Sequence, residues 1–194
     1  MWNQCEQVRP IEVVLVGNTL KAACEFGLEG IAEPRHLKVY VAHWPCPLYG
    51  ASSDKRVRIA QRLRTVLEKS LGDNESVIVM GDFNEEPFGV LEEHLDAVRD
   101  LAAVRRFPKQ MLFNPFWREL GHREFQLPAC GTYRIDRPGK SSWSTFDQIL
   151  LSNSLITGRG RLLNAGSMEN VFGGKSMPSW SDHLPVFVEL ALSS

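Results

Sequence analysis

Short β-prone runs alternate along this chain with longer stretches of helical period. Ile11–Leu20 and Leu37–His43, rich in Val, Leu and Tyr, predict strands joined by a Gly- and Pro-bearing connection, as a hairpin or as neighbours in one sheet. Asp54 to about Leu71 predicts a helix, because Ile59, Leu63, Val66 and Leu67 fall on one stripe. Ser52, Ser53 or Asp54 can cap it, and Gly72 stops it. Val77–Met80 predicts a buried strand, Gly81–Glu86 a polar turn, and Gly89–Arg105 a second helix with the stripe Leu91, Leu95, Val98 and Ala102. Pro108–Pro138 is aromatic, proline-bearing and weakly periodic, which predicts a long, partly ordered loop region. Strands return at Phe146–Leu151 and Leu184–Leu190, on either side of the Gly- and Ser-rich segment Thr157–Ser181.

The most informative break in this pattern lies in Val77-Ile-Val-Met-Gly-Asp-Phe-Asn84, where an acid and an amide two residues apart end an apolar run. In extended backbone residues i and i+2 share a side, so Asp82 and Asn84 are expected to face one spot at a strand end. Phe146-Asp147-Gln148-Ile149-Leu150-Leu151 and Ser181-Asp182-His183-Leu184-Pro185-Val186 repeat the theme, with acid or imidazole at the head of a β-prone run.

Length and composition change the picture little. A chain of 194 residues, 43% hydrophobic and 23% charged, is expected to form a single globular domain over 1–194 with an ordinary core. A net charge of −1 excludes a global polyanion-binding footprint, so nucleic acid or an acidic membrane would need a local patch or a metal. The four cysteines, Cys5, Cys24, Cys46 and Cys130, form no Cys-x-x-Cys pair and read as reduced thiols. With no leader-like N-terminus and no window of membrane-spanning length, a cytoplasmic location is expected.

His43, Asp82, Asn84, Asp147, Asp182 and His183 all adjoin runs that should be buried. Acids, an amide and imidazoles at the mouth of a sheet suit cation-assisted hydrolysis of a phosphate ester. Mg2+ prefers carboxylate and amide oxygens, which Asp182, Asp82 and Asn84 could supply, with Mn2+ as the substitute ion. Such an ion polarises a phosphoryl oxygen and neutralises developing charge. A carboxylate would orient or deprotonate the attacking water, and an imidazole would protonate the leaving oxygen or hold a non-bridging one. Asp147 is the candidate to stand behind His183, fixing its tautomer. Each residue also has a plainer role. Asn84 could cap the second helix with Pro87 in its first turn, Asp147 and Asp182 could be turn acids, and His43 could be a satisfied core histidine. Arg56, Arg58, Arg62 and Arg64 could simply form a solvated helix face.

In their order, His43-Trp44-Pro45, Gly81-Asp82-Phe83-Asn84, Phe146-Asp147-Gln148-Ile149-Leu150 and Ser181-Asp182-His183-Leu184-Pro185 resemble the endonuclease/exonuclease/phosphatase superfamily. That group contains DNase I-like nucleases, sphingomyelinases and inositol-polyphosphate phosphatases. Phe113-Asn114-Pro115-Phe116-Trp117 and Gly131-Thr132-Tyr133 look like bacterial members of it, and the resemblance runs from about Leu37 to the C-terminus, with 1–36 poorly matched. The resemblance implies a four-layer α/β sandwich, two mixed sheets face to face with helices outside. It implies that Asp82 positions or activates the water, Asn84 contacts the scissile phosphate or the transition state, and Asp182 helps hold the metal. It further implies that His183 contacts the phosphate with Asp147 behind it, and that His43 is the second imidazole.

The family's first motifs, a strand ending in Asn and a later Gln-Glu pair whose glutamate is a metal ligand, have no convincing equivalent here. Trp2-Asn3, Glu6 and Glu12 lack the expected neighbours. The expectation is therefore an N-terminally incomplete sandwich, arising as a fragment, a misjudged start or a shortened homologue, with apolar sheet surface exposed. The leading expectation for function is a Mg2+-dependent phosphoesterase, a phosphodiesterase or nuclease, with nucleic acid favoured slightly by the arginine-bearing helix near the His43 loop. The alternatives are a catalytically impaired relic serving as a binding module, and a sphingomyelinase-like lipid phosphodiesterase using Phe113, Phe116 and Trp117.

Overall fold

The computed structural model describes residues 2–15, 18–30, 36–46, 53–121, 131–137, 140–157, 160–167 and 181–192. Strands β1 (Trp2–Leu15) and β2 (Asn18–Gly30) form a long antiparallel hairpin, and β3 (His36–His43) continues the sheet beside β2. The expected single strand Ile11–Leu20 thus spans the end of one strand and the start of the next. Helix α1 (Ser53–Gly72) then crosses over to β4 (Ser76–Asp82), which runs parallel to β3, the connection that a parallel pair requires.

The expected helix Gly89–Arg105 is broken. It becomes α2 (Val90–Leu95), β5 (Ala97–Val98) and α3 (Leu101–Arg106). Asp96 takes a left-handed conformation at φ 52° and ends α2, while Asp100 caps α3 by accepting the Ala102 N–H at 2.8 Å. The run Pro108–Pro138 holds more structure than expected: β6 (Leu112–Phe113), α4 (Trp117–Gly121) and β7 (Tyr133–Arg137), with 122–130 outside the described residues. After β7 come β8 (Lys140–Ser144), β9 (Asp147–Ser152) and α5 (Asn153–Ile156). Within the Gly- and Ser-rich segment lies β10 (Gly160–Ser167), which pairs with β11 (Val186–Leu192).

Seven strands form one mixed sheet in the order β1-β2-β3-β4-β9-β6-β5, and β10-β11 and β7-β8 are two-stranded. On one face Ile59, Leu63, Leu67 and Leu71 of α1 and Leu91 and Leu95 of α2 bury Tyr40, Val77 and Val79. On the other, Val186, Val188 and Leu190 of β11 pack with Ile149 and Leu151 of β9 and with Val104, Leu155 and Ile156. Val77 and Leu150 are fully buried, which is why β4 and β9 read as nearly unbroken apolar runs rather than alternating ones. A mixed sheet flanked by helices, with a second, antiparallel sheet of two described strands, β10 and β11, is the α/β sandwich that the family resemblance implies. The opposite end of that inner face is less covered: Cys24, Phe26 and Val39 are half-buried, and Val41 is 42% exposed.

Candidate active site

Strand register builds the site. His43 pairs with Asp82 across the parallel β3–β4 ladder, and Asp82 pairs with Asp147 across the antiparallel β4–β9 ladder. Cross-strand partners share a face, so the three side chains form one row at the sheet edge, above the apolar row Val41, Met80 and Ile149. Gly81 makes the β3–β4 approach possible, because a Cβ there would lie 1.9 Å from the Ala42 carbonyl oxygen.

The fourth group arrives from the loop before β11. His183 Nδ1–H donates to Asp147 Oδ2 at 2.7 Å, which fixes the tautomer and leaves Nε2 as the unprotonated nitrogen of the neutral ring. This bond to Asp147 holds the imidazole pKa above its ordinary value against the opposing effect of burial, and the charges of Asp147, Asp82 and Asp182 add to it. Carboxylate and imidazole atoms of Asp82, Asp147 and His183 lie within 4.8 Å of one another. His43 Nε2 stands 3.7 Å from Asp82 Oδ2 with its side chain 82% exposed, so it is no core histidine.

Asn84 reaches Asp82 by a route other than an extended strand. β4 ends at Asp82, and the Asn84 backbone turns left-handed at φ 50°, a conformation asparagine tolerates better than most residues. The Asp82 side chain closes that turn: Oδ1 accepts the Asn84 backbone N–H at 2.8 Å. The buried Asn84 amide then donates to Asp82 Oδ2 at 3.0 Å and to the Trp44 carbonyl at 2.9 Å. Asn84 does not cap α2, whose N-cap is Gly89 without a side-chain bond. Burial holds the Asp82 carboxyl above the usual range, opposed by the Asn84 N–H and reinforced by Asp147, while both imidazoles pull it down.

Asp182 is exposed beside His183, outside the tight group of Asp82, Asp147 and His183. Glu6 and Glu12 are exposed on β1, two strands from β3, and are outside that group too. A cavity of about 360 Å3 opens beside His43, lined among others by Lys21, Cys24, Phe26 and Val41.

Several supporting residues escape sequence reasoning. Fully buried Gln148 donates to the carbonyls of Glu85 at 2.7 Å and Thr145 at 2.8 Å, and accepts from Asn114 at 2.8 Å. Arg56 is buried in an ion pair with Glu85. Arg62 bonds the Glu12 carbonyl, and Arg64 bonds the carbonyls of Leu95 and Gln110 and pairs with Asp96. Arg56, Arg62 and Arg64 of α1 thus tie elements together, a role beyond the solvated helix face that the sequence allows. Only the apolar neighbours hint at this, since an arginine or glutamine next to buried positions must find partners. Phe116 is buried and Trp117 lies against Phe88 at 6.2 Å, so these two aromatics are packed. Among the described residues no helix is long and apolar enough to cross a membrane.

The fold has many solved counterparts. The human Nocturnin catalytic domain with bound sulfate superposes with a TM-score of 0.58 at 18% identity, covering 100% of this chain and 60% of that one. TDP2 of D. rerio, solved with a single-strand DNA product, gives 0.52 at 17% identity, covering 98% and 68%. The Xenopus laevis APE2 catalytic domain gives 0.52 at 18%, covering 88% and 56%. The chain thus spans little more than half the length of two of these structures. No curated protein matches it significantly. The model of the Endonuclease/Exonuclease/phosphatase family, however, matches residues 14–177, a span holding His43, Asp82, Asn84 and Asp147, and by that match the chain belongs to this family.

Proposed function

We propose that this chain hydrolyses phosphate esters, most readily a phosphodiester, at the row His43–Asp82–Asp147 closed by His183. The observation that carries the reading is that register and hydrogen bonding bring these groups from four distant segments to one sheet edge. Asp82 orients the attacking water and takes its proton, a role suited to a carboxyl whose pKa burial has raised. His183, with Nδ1 held by Asp147, presents Nε2 to a non-bridging phosphoryl oxygen and stabilises negative charge there as an imidazolium. His43, with its side chain exposed beside Asp82, donates to the leaving oxygen. Asn84 restrains Asp82 through both of its carboxylate oxygens.

Two carboxylates side by side, one of them partly desolvated, make a donor set that fits a hard divalent cation. Of the metal ligands expected from the sequence, Asp82 lies in this group together with Asp147, and these two would hold Mg2+ or Mn2+, which when bound would supply Lewis-acid polarisation of the phosphoryl group. Nucleic acid stays within the reading as one phosphodiester substrate, as in the TDP2 structure with its DNA product.

The test is hydrolysis of bis-nitrophenyl phosphate with Mg2+, with EDTA, and with Asp82→Ala and His183→Ala. Each variant is expected to lose about 100-fold or more in kcat/KM. Turnover that survives unchanged in both variants overturns the assignment.

A further inference from the structure

The segment Gly131-Thr132-Tyr133 contributes none of the reacting groups, yet it bonds to both loops that deliver Asp147 and His183. Thr132 is fully buried. Its Oγ1 accepts two backbone N–H groups, from Phe146 and from Asp147, each at 3.0 Å. Its carbonyl oxygen accepts the Leu184 N–H at 2.7 Å, and its own N–H donates to the Ser144 carbonyl at 2.8 Å. The next residue, Tyr133, forms a β-bridge with His183 and sets its ring 4.6 Å from the imidazole, while stacking on Phe146 at 5.7 Å. Gly131 lets the segment lie this close, since a Cβ would stand 2.6 Å from the Ser144 carbonyl oxygen.

We propose that Thr132 is a positioning residue, whose hydroxyl sets the Asp147 backbone so that its carboxylate meets His183, while its carbonyl holds the His183 loop in the matching place. A hydroxyl oxygen has two acceptor lone pairs, and here each has an N–H to receive. Valine has the same shape and no acceptor, so it would orphan the N–H groups of Phe146 and of Asp147, the residue that must hold the imidazole. Orientation of a catalytic group by a neighbour of this kind is commonly worth about 10–100-fold in activity. The inference rests on the phosphoesterase reading only for its catalytic meaning.

The experiment is 1H–15N NMR of the His183 ring in the wild type, Thr132→Ser and Thr132→Val, with near-UV circular dichroism as the check on packing. The hydrogen-bonded Nδ1–H proton is expected downfield and slow to exchange in the wild type and in Thr132→Ser. In Thr132→Val it is expected to vanish or to exchange at least about tenfold faster, as a lost buried hydrogen bond requires. An Nδ1–H that exchanges equally slowly in folded Thr132→Val overturns the proposal. Should Thr132→Val not fold, Thr132→Ser is compared with Thr132→Ala: retention in the first and loss in the second supports the role, and equal behaviour overturns it. Because the signal needs no turnover, an inactive wild type with an intact Nδ1–H would refute the catalytic reading alone.

Discussion

Asp82 sets burial against charge at the scale of a single side chain. Removal from water favours its neutral form, the Asn84 N–H favours the ionised one, and the nearby Asp147 carboxylate tilts the balance back. His183 is the counterpart, with its cationic form favoured by the bond to Asp147. A histidine whose pKa is raised on folding adds stability that is complete below the unfolded value, about 6.5, and is lost as pH rises through the folded value. Asp147→Asn is therefore expected to lower the His183 titration midpoint in an NMR pH series. It should also flatten the fall in unfolding free energy as pH rises above about 6.5, read by urea denaturation. An unmoved midpoint would show that the 2.7 Å contact carries no charge coupling. At this scale the sequence indicates which residues adjoin strand ends, because polar groups that interrupt apolar runs stand out. It does not indicate how Asn84 reaches Asp82, since a left-handed turn replaces the i, i+2 geometry. Gln148 and Thr132 are illegible for a different reason: their partners lie many residues away, and an amide or hydroxyl alone does not announce them.

The elements divide by how much of their pattern is local. Helix α1 follows directly from its stripe, and Ile59, Leu63 and Leu67 are all fully buried. Leu63→Ala is expected to cost about 2–5 kcal/mol in unfolding free energy. Gly81→Ala should cost at least about 2 kcal/mol, through a clash with the Ala42 carbonyl and a φ of +136° that L side chains rarely adopt. Its signature in hydrogen exchange would be faster opening of the β3–β4 ladder, and protection equal to the wild type would contradict the register described. The broken helix between Gly89 and Arg105 shows the limit of periodicity. Leu91 and Leu95 keep helical spacing, but pairing of β5 with β6 outweighs continuation, and Asp96 and Asp100 supply the stop and the restart. β10 was hidden for a related reason, since a Gly- and Ser-bearing strand gains its place by pairing with β11 rather than by propensity.

Among the described residues, the large sheet has one closed face and one that is closed only in part. Val79 is fully buried beneath α1, whereas Val41 of the adjoining strand is 42% exposed on the opposite face. Val79→Thr is expected to cost about 1–3 kcal/mol by burying a hydroxyl, and Val41→Thr less than about 1 kcal/mol. Comparable losses in urea denaturation would mean that something covers Val41 in solution. The α/β class was legible because strands and helices alternate, and the mixed order β1-β2-β3-β4-β9-β6-β5 was not, because β9 reaches β4 only through contacts far apart in the chain.

The polar row has a consequence for assembly as well as for chemistry. Since its members sit at positions 43, 82, 147 and 183, no proteolytic piece shorter than that interval can hold a whole centre. The hairpin β1–β2 joins segments adjacent in the chain, whereas the polar row needs closures between segments tens of residues apart, and such long-range closures carry the larger loop-entropy cost.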